Sequence, residues 1–412
     1  MRMRKKRRRS NHTDPTTRHR STDTPAKIDR NVVLLGWVSY FTDMASAMVN
    51  PILPIFVVAA LHEGVDKLGI IVAVATFVSY ALRLVSGYIS DRFGIVKPLV
   101  VGGYALSAIS KPMIGMTHGY KSVASLKALE RLGKALRSAP KDVMIAEYSH
   151  KNASGKTFGF HKTLDIAGEL SGTLLLFGFL LCFGVSEGVM RTIFLATIVP
   201  GLIGFVLVAF FVKDVKKRPE REGVKFRLTK RDKNAVKQLF FYFLFIFFMF
   251  SEAFFTMQAK NVGIAVMLIP LLFVVSTGMQ TLTSYLLGVW VDRIGAARVL
   301  WLGYLCGVTA QLLLWFEKSW LTWLAYAFLG LFTVATLNAN RAFIAASSDN
   351  RGSVYGVFYG GVALFGALGA YVCGMLWEHF GMQSALLFSL GGTLALWLFF
   401  SLTIMGGRYG YA

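Results

Sequence analysis

The sequence predicts an all-α membrane protein, with twelve transmembrane helices in two pseudo-symmetric six-helix bundles. Three observations predict it: a composition that only lipid can solvate, twelve apolar runs of spanning length, and a motif that returns at half the chain length. The 412 residues are 55% hydrophobic and only 16% charged, and the mean hydropathy is +0.54. A water-soluble domain of this size needs more charge to cover its surface, so lipid is the main solvent.

A helix needs ~20 mostly apolar residues to cross a bilayer. Runs that meet this fall at 31–60, 68–90, 98–117, 121–146, 158–183 and 191–212, then at 239–261, 265–290, 299–316, 321–345, 354–376 and 383–405. The chain therefore divides into a basic tail (1–30), a first bundle (31–212), a basic linker (213–238), a second bundle (239–405) and a short C-terminus (406–412). Net charge is +22, and most of it sits in two places: the tail holds eleven Lys or Arg against three Asp, and residues 213–237 hold eleven against four acids. Basic segments beside apolar spans suit anionic membrane lipids and cytoplasmic placement, not nucleic acid. The short connections agree. Arg92, Lys97, Lys151, Lys156, Arg293, Arg298 and Arg351 lie on one side, and little beyond Lys67, Lys121, Arg191 and Lys318 on the other. Both termini are expected in the cytoplasm of a multi-pass inner-membrane protein. No short apolar core with a cleavage site follows the tail, so a secretory signal is not expected. Cys182, Cys306 and Cys373 stand singly in apolar runs and read as packing residues, without disulfide or metal.

The halves repeat. Gly87-Tyr-Ile-Ser-Asp91-Arg92-Phe-Gly94-Ile-Val-Lys97 closes the second run, and Gly288-Val-Trp-Val-Asp292-Arg293-Ile-Gly295-Ala-Ala-Arg298 closes the eighth, 201 residues later. A fainter echo links Gly155–His161 with Gly352–Phe358 at the start of the fifth and eleventh runs. Repetition at half length suits proteins that hold a ligand between two bundles.

The shared pattern GxxxDRxGxx[KR] resembles the signature loop of the major facilitator superfamily. Pro51-Ile-Leu-Pro54 is similar to the PxxP element of twelve-span drug/proton antiporters, and Glu130–Asp142 with Phe158–Gly168 is similar to a bacterial branch of permeases. The resemblance spans roughly residues 31–405. It implies the major facilitator fold and a secondary transporter that moves a small organic solute by alternating access, with proton-coupled efflux as the first reading. Uptake or export of a siderophore, metal chelate or anionic metabolite, by uniport or symport, is the second. A non-transporting membrane scaffold is the third. One departure from the antiporter pattern stands out: Gly172 is followed by Thr173, where that pattern has proline. The resemblance also makes Gly87, Asp91, Arg92, Gly94 and Lys97, with Gly288, Asp292, Arg293, Gly295 and Arg298, gating residues. Gly288 would permit tight packing, and Asp292 would accept hydrogen bonds from Arg293 or from a helix N-terminus in the opposite half.

Ionisable groups inside spans are costly unless paired or hydrated, which makes each one a candidate for proton coupling or substrate binding. Asp43 lies about thirteen residues into the first run, near the midplane at ~1.5 Å per residue. Glu252 reads as its counterpart at similar depth in the seventh. Glu130, Lys134, Arg137 and Lys141 recur at helical spacing on one face, with Arg131 beside them, and His161, Asp165 and Glu169 do the same in the fifth run. The two stripes are expected to meet, while Gly168 and Gly172 allow close helix approach. Arg83 and Lys111 are further buried cations that would make a cavity electropositive. Lys260, Arg341 and the polar stripe Thr277, Gln280, Thr281 and Ser284 come from the second half. The dense run of phenylalanines from Phe240 to Phe248 must cover every face of a helix, so it reads mostly as packing or lipid contact. No HExxH, P-loop or Cys/His cluster appears, so neither enzyme, cofactor nor metal is expected. The expected partners are a small-molecule substrate, protons and anionic lipids, with the chain a monomer.

Overall fold

In the computed structural model, the described residues are 28–93, 95–149, 154–215 and 228–405. The basic tail, most of the basic linker and the C-terminus therefore lie outside them. The first half is built of α1 (Arg30–Ala60), α2 (Val65–Phe93), α3 (Lys97–Met116), α4 (Tyr120–Glu147), α5 (Ser154–Phe183) and α6 (Glu187–Phe211). The second half is built of α7 (Lys230–Asn261), α8 (Val266–Ile294), α9 (Ala296–Trp315), α10 (Ser319–Ser347), α11 (Arg351–Phe380) and α12 (Met382–Met405). Eleven of these are long and apolar enough to cross a membrane by themselves. The exception is α4, which corrects the expectation of twelve apolar runs. It is too rich in Lys, Arg, Asp and Glu to face lipid freely; it is packed against α2 and α3, and its charged groups find polar partners on α1 and α3.

Within each half, glycines set the closest helix approaches. A Cβ added to Gly168 would lie 2.2 Å from the Tyr40 carbonyl oxygen, and one on Gly172 2.2 Å from that of Met44, so α1 and α5 touch backbone to backbone as their spacing implied. Gly369 repeats this 201 residues later, with its Cβ position 2.2 Å from the Phe247 carbonyl of α7. The phenylalanine run of α7 is interior packing. Phe245 stacks on Tyr304 at 4.2 Å, Phe248 meets Phe388, and only Phe240 among them is largely exposed. Cys373 is buried beside Ser389, whereas Cys182 is exposed and is no packing residue.

The halves meet along α2 with α11 and α5 with α8. Away from the chain termini the seam is tight: a Cβ on Gly69 would fall 2.9 Å from Gly374 Cα, and one on Gly374 2.8 Å from Gly69 Cα. There Glu378 of α11 accepts the Val65 N–H at 2.7 Å, so a carboxylate of one half caps the N-terminus of a helix in the other. Glu378→Ala leaves that N–H without its acceptor and removes a favourable charge, a loss of about 0.5–2 kcal/mol in the closed arrangement alone. Spin labels on the α1–α2 and α11–α12 loops should then report a larger separated population; distances identical to wild type would show that the cap does not hold this end shut.

Two helices are interrupted at matching places. The first helical stretch of α1 ends at Val49 and resumes at Leu53. Pro51 and Pro54 lie at this break and supply no N–H to the helix ladder. The first stretch of α7 ends at Phe248 and resumes at Glu252, with extended backbone at Met249 and Ser251. Asp43 lies before the break in α1, whereas Glu252 is the first residue after the break in α7, so the two are not counterparts at equal depth. The residues of α1 that correspond to Ser251 and Glu252, 201 positions earlier, are Asn50 and Pro51.

Candidate functional site

Both breaks open onto one central cavity of about 520 Å3 between the halves. Asn50, Leu53 and Pro54 line it from α1, and Ser251, Glu252 and Ala253 from α7. Backbone that leaves a regular helix inside a membrane is tolerated where it borders such a cavity. The α2 wall presents Ser79, Tyr80 and Arg83, and the α4 wall Lys127, Arg131 and Lys134. Phe273 of α8 adds an apolar surface.

The α4 wall is organised around Glu130, only 2% exposed. Lys127 Nζ stands 2.8 Å from Glu130 Oε2 and Arg131 Nε 3.7 Å from it. Lys127 also donates to Asn50 Oδ1 at 3.0 Å, tying the buried ion pair to the α1 break. Lys127 and Asn50 were not among the residues expected from sequence, although Lys127 stands one turn before Glu130 on the stripe already recognised. Lys134 reaches the cavity, and its ammonium has no hydrogen bond or ion pair among the described residues. Arg83 lays its guanidinium over the Tyr359 ring of α11 at 5.2 Å, and Tyr80 stacks on the same ring.

A second polar network lies inside the first half. Lys141 donates to Ser39 Oγ at 2.9 Å, Ser39 Oγ is 3.1 Å from His161 Nε2, and His161 Nδ1 is 3.5 Å from Asp165 Oδ1. The stripes of α4 and α5 thus meet through a serine of α1. Glu169, one turn beyond Asp165, accepts a hydrogen bond at 3.0 Å from Thr277 of α8, across the seam between halves. Asp43 is half-buried, and its carboxylate has no hydrogen bond or ion pair among the described residues. The Glu252 carboxylate has none either, and it is exposed within the cavity wall.

Other candidates sit elsewhere. Lys111 is buried and donates to the Thr42 carbonyl at 3.0 Å, joining α3 to α1 outside the cavity lining. Arg137 turns into α3, where it donates to Ser107 Oγ at 2.5 Å and to the Gly103 carbonyl, with its guanidinium 4.4 Å from the Tyr104 ring centroid. Both are packing cations and do not charge the cavity. Lys260 and Arg341 do not line it. In the stripe of α8, Thr281 bonds the Thr277 carbonyl of its own helix, and Asn338 of α10 bonds the Ser284 carbonyl.

This arrangement, two halves meeting at a cavity bordered by paired broken helices, coincides with a family match over nearly the whole chain. The model of the Major Facilitator Superfamily matches residues 35–259 and 239–406. The chain belongs to this superfamily. An uncharacterized MFS-type transporter of Methanocaldococcus jannaschii is 28% identical over 390 residues, 92% of this chain and 95% of that protein. Among solved structures, the nucleoside transporter NupG superposes with a TM-score of 0.76 at 14% identity, covering 91% of this chain and 99% of that one. A bacterial homolog of the human lysosomal transporter Spinster, inward-facing and unoccupied, gives 0.67 at 13% identity, covering 93% and 98%. These low identities establish a shared major facilitator fold.

The superfamily loops are only partly engaged. Asp292, Arg293 and Arg298 are exposed and make no hydrogen bond or ion pair among the described residues, so the expected acceptor role of Asp292 is absent from this arrangement. No heavy atom lies within 4 Å of a Cβ on Gly288, which corrects its reading as a tight-packing position. Gly295 has φ +89°, a conformation only glycine adopts without strain, and it ends α8. Lys97 opens α3 and is half-buried. Gly87, Asp91 and Arg92 fall on the last turns of α2, where the side chains lie outside the described residues, as Gly94 does altogether.

Proposed function

We propose that this superfamily member carries a small organic solute through the central cavity by alternating access, coupled to protons and directed out of the cell. The observation that carries the reading is the convergence of the α1 and α7 breaks on a single cavity between halves able to rock about it. The acids of the first half are suited to coupling. Asp43 has no hydrogen bond or ion pair at its carboxylate among the described residues, and Glu169 spans the seam to Thr277, so protonation there changes a contact between the moving bodies. The lysine and arginine bias supports cytoplasmic termini in an inner membrane. With that orientation, the seam at Gly69, Gly374 and Glu378 is the outer gate, and the unpartnered Asp292 and Arg293 belong to an inward-facing state. The PxxP resemblance supports export.

The test uses proteoliposomes loaded with a polar metabolite extract, an imposed proton gradient, and mass spectrometry of what is released. Protein-dependent and gradient-dependent release of a small set of compounds is expected, with Asp43→Asn and Glu169→Gln abolishing the gradient dependence. Release identical to protein-free vesicles under either gradient would sink the transport reading, and gradient dependence intact in both variants would remove the acids from coupling.

A further inference from the structure

The cavity described above is unevenly charged. Arg83, Lys127, Arg131 and Lys134 line it against a single acid, Glu252. Glu130, buried behind the wall, compensates Lys127 through the 2.8 Å pair, so among these six groups two positive charges are in surplus. Partnering follows direction along α4. The cations turned into the protein are satisfied, Arg137 by Ser107 and the Gly103 carbonyl, and Lys141 by Ser39. Lys134, which faces the cavity, has no such partner among the described residues, and Arg131 stands beyond hydrogen-bond distance of Glu130 at 3.7 Å. Arg83 lies over the Tyr359 ring, and its guanidinium donates no hydrogen bond among the described residues, which leaves N–H groups for a planar oxyanion. Unneutralised cations at membrane depth are costly. An anion between these walls offsets that cost, while an organic cation adds to it.

We infer that the transported solute is an organic anion, its carboxylate or phosphate held by Arg83, Arg131 and Lys134 and its body packed on Tyr80 and Phe273. The inference rests on the cavity being the transport site proposed above. A cavity of about 520 Å3 lies in the range of drug-sized ligands, larger than a bare inorganic ion needs. Ser251 and Glu252 on the opposite wall supply a hydrogen-bonding surface for a hydroxyl or amine on the same molecule.

The charge of the cavity can be read without knowing the solute. Ser79 lines it one helical turn from Arg83. Purified full-length Ser79→Cys protein in detergent is treated with two thiol reagents of similar size, anionic sulfonatoethyl and cationic trimethylammonioethyl methanethiosulfonate. Modification at position 79 is followed by peptide mass spectrometry, so the native cysteines stay in place. With each rate divided by that for free 2-mercaptoethanol, the anionic reagent is expected to react ~tenfold faster, as field focusing in a charged cleft predicts, and to lose this advantage at high salt. Adding Arg83→Gln and Lys134→Gln together brings the ratio towards one, Lys134→Gln alone lowers it by a smaller factor, and Arg83→Lys with Lys134→Arg preserves it. Equal rates, or a faster cationic reagent, in the Ser79→Cys protein overturn the anion assignment and leave the transport reading standing. Failure of both reagents to reach position 79 overturns the transport reading itself, because the cavity would then be closed to water-borne solutes.

Discussion

Gly374→Val should cut transport sharply and leave the protein folded. In the closed seam a Cβ at this position lies 2.8 Å from Gly69 Cα and 3.0 Å from the Val65 carbonyl oxygen, both on the α2 backbone and unable to rotate away. Overpacking of this kind costs ~1–3 kcal/mol. Here the cost falls on one conformation, since α11 and α2 belong to different halves and each half keeps its own packing when the seam parts. A penalty confined to one state shifts the balance between states by roughly 5- to 150-fold. Transport must visit both, so release from proteoliposomes should drop by ~5-fold or more, while the size-exclusion profile and helical circular dichroism match wild type. Gly374→Ala, which adds a single carbon, should fall between. Transport at the wild-type rate in Gly374→Val would mean that this seam never closes during the cycle.

Glu130→Ala should be the most destabilising single substitution in α4. The glutamate compensates Lys127 directly and Arg131 more distantly, in a pocket where it is 2% exposed. Removing one partner of a buried pair strands the other charge, at a cost of about 3–5 kcal/mol. A folded membrane protein with ordinary stability loses much of its yield to such a change, and the thermal midpoint in detergent should fall with it. Lys127→Met in the same chain removes the stranded charge and should restore most of the loss, giving a strongly non-additive double-mutant cycle. Additive effects of the two substitutions would show that the pair is not coupled and that Lys127 is held by Asn50 alone.

The charged residues of α4 show how far a linear reading reaches. Spacings of four and three placed Glu130, Lys134, Arg137 and Lys141 on one face, and the helix does present them in a row. Their destinations nevertheless differ. Lys134 enters the cavity, Arg137 turns to α3 and Lys141 to α1. Helices cross at angles, so a straight stripe passes from one neighbour to the next along its length, and long basic side chains reach whichever acceptor is nearest. The same limit misplaced Lys111, a cation by composition and a packing group by contact. It also concealed the α7 break, which has no proline or glycine to mark it; Met249 and Ser251 adopt extended backbone because the tertiary surroundings allow it.

The order of apolar and basic segments along the chain was by itself enough to determine that this is a membrane protein of two repeated halves, and the paired GxxxDRxGxx[KR] loops were enough to point to its superfamily. Hydropathy and repetition are properties of each segment alone, because lipid must solvate every span whatever its neighbours are. Which charges face the cavity, which acid bonds across the seam and where the two halves touch were decided only by the tertiary structure. Those outcomes depend on how each helix is rotated against its neighbours, and rotation is set by close glycine contacts and by polar contacts between residues up to 313 positions apart, as in the hydrogen bond from Val65 to Glu378.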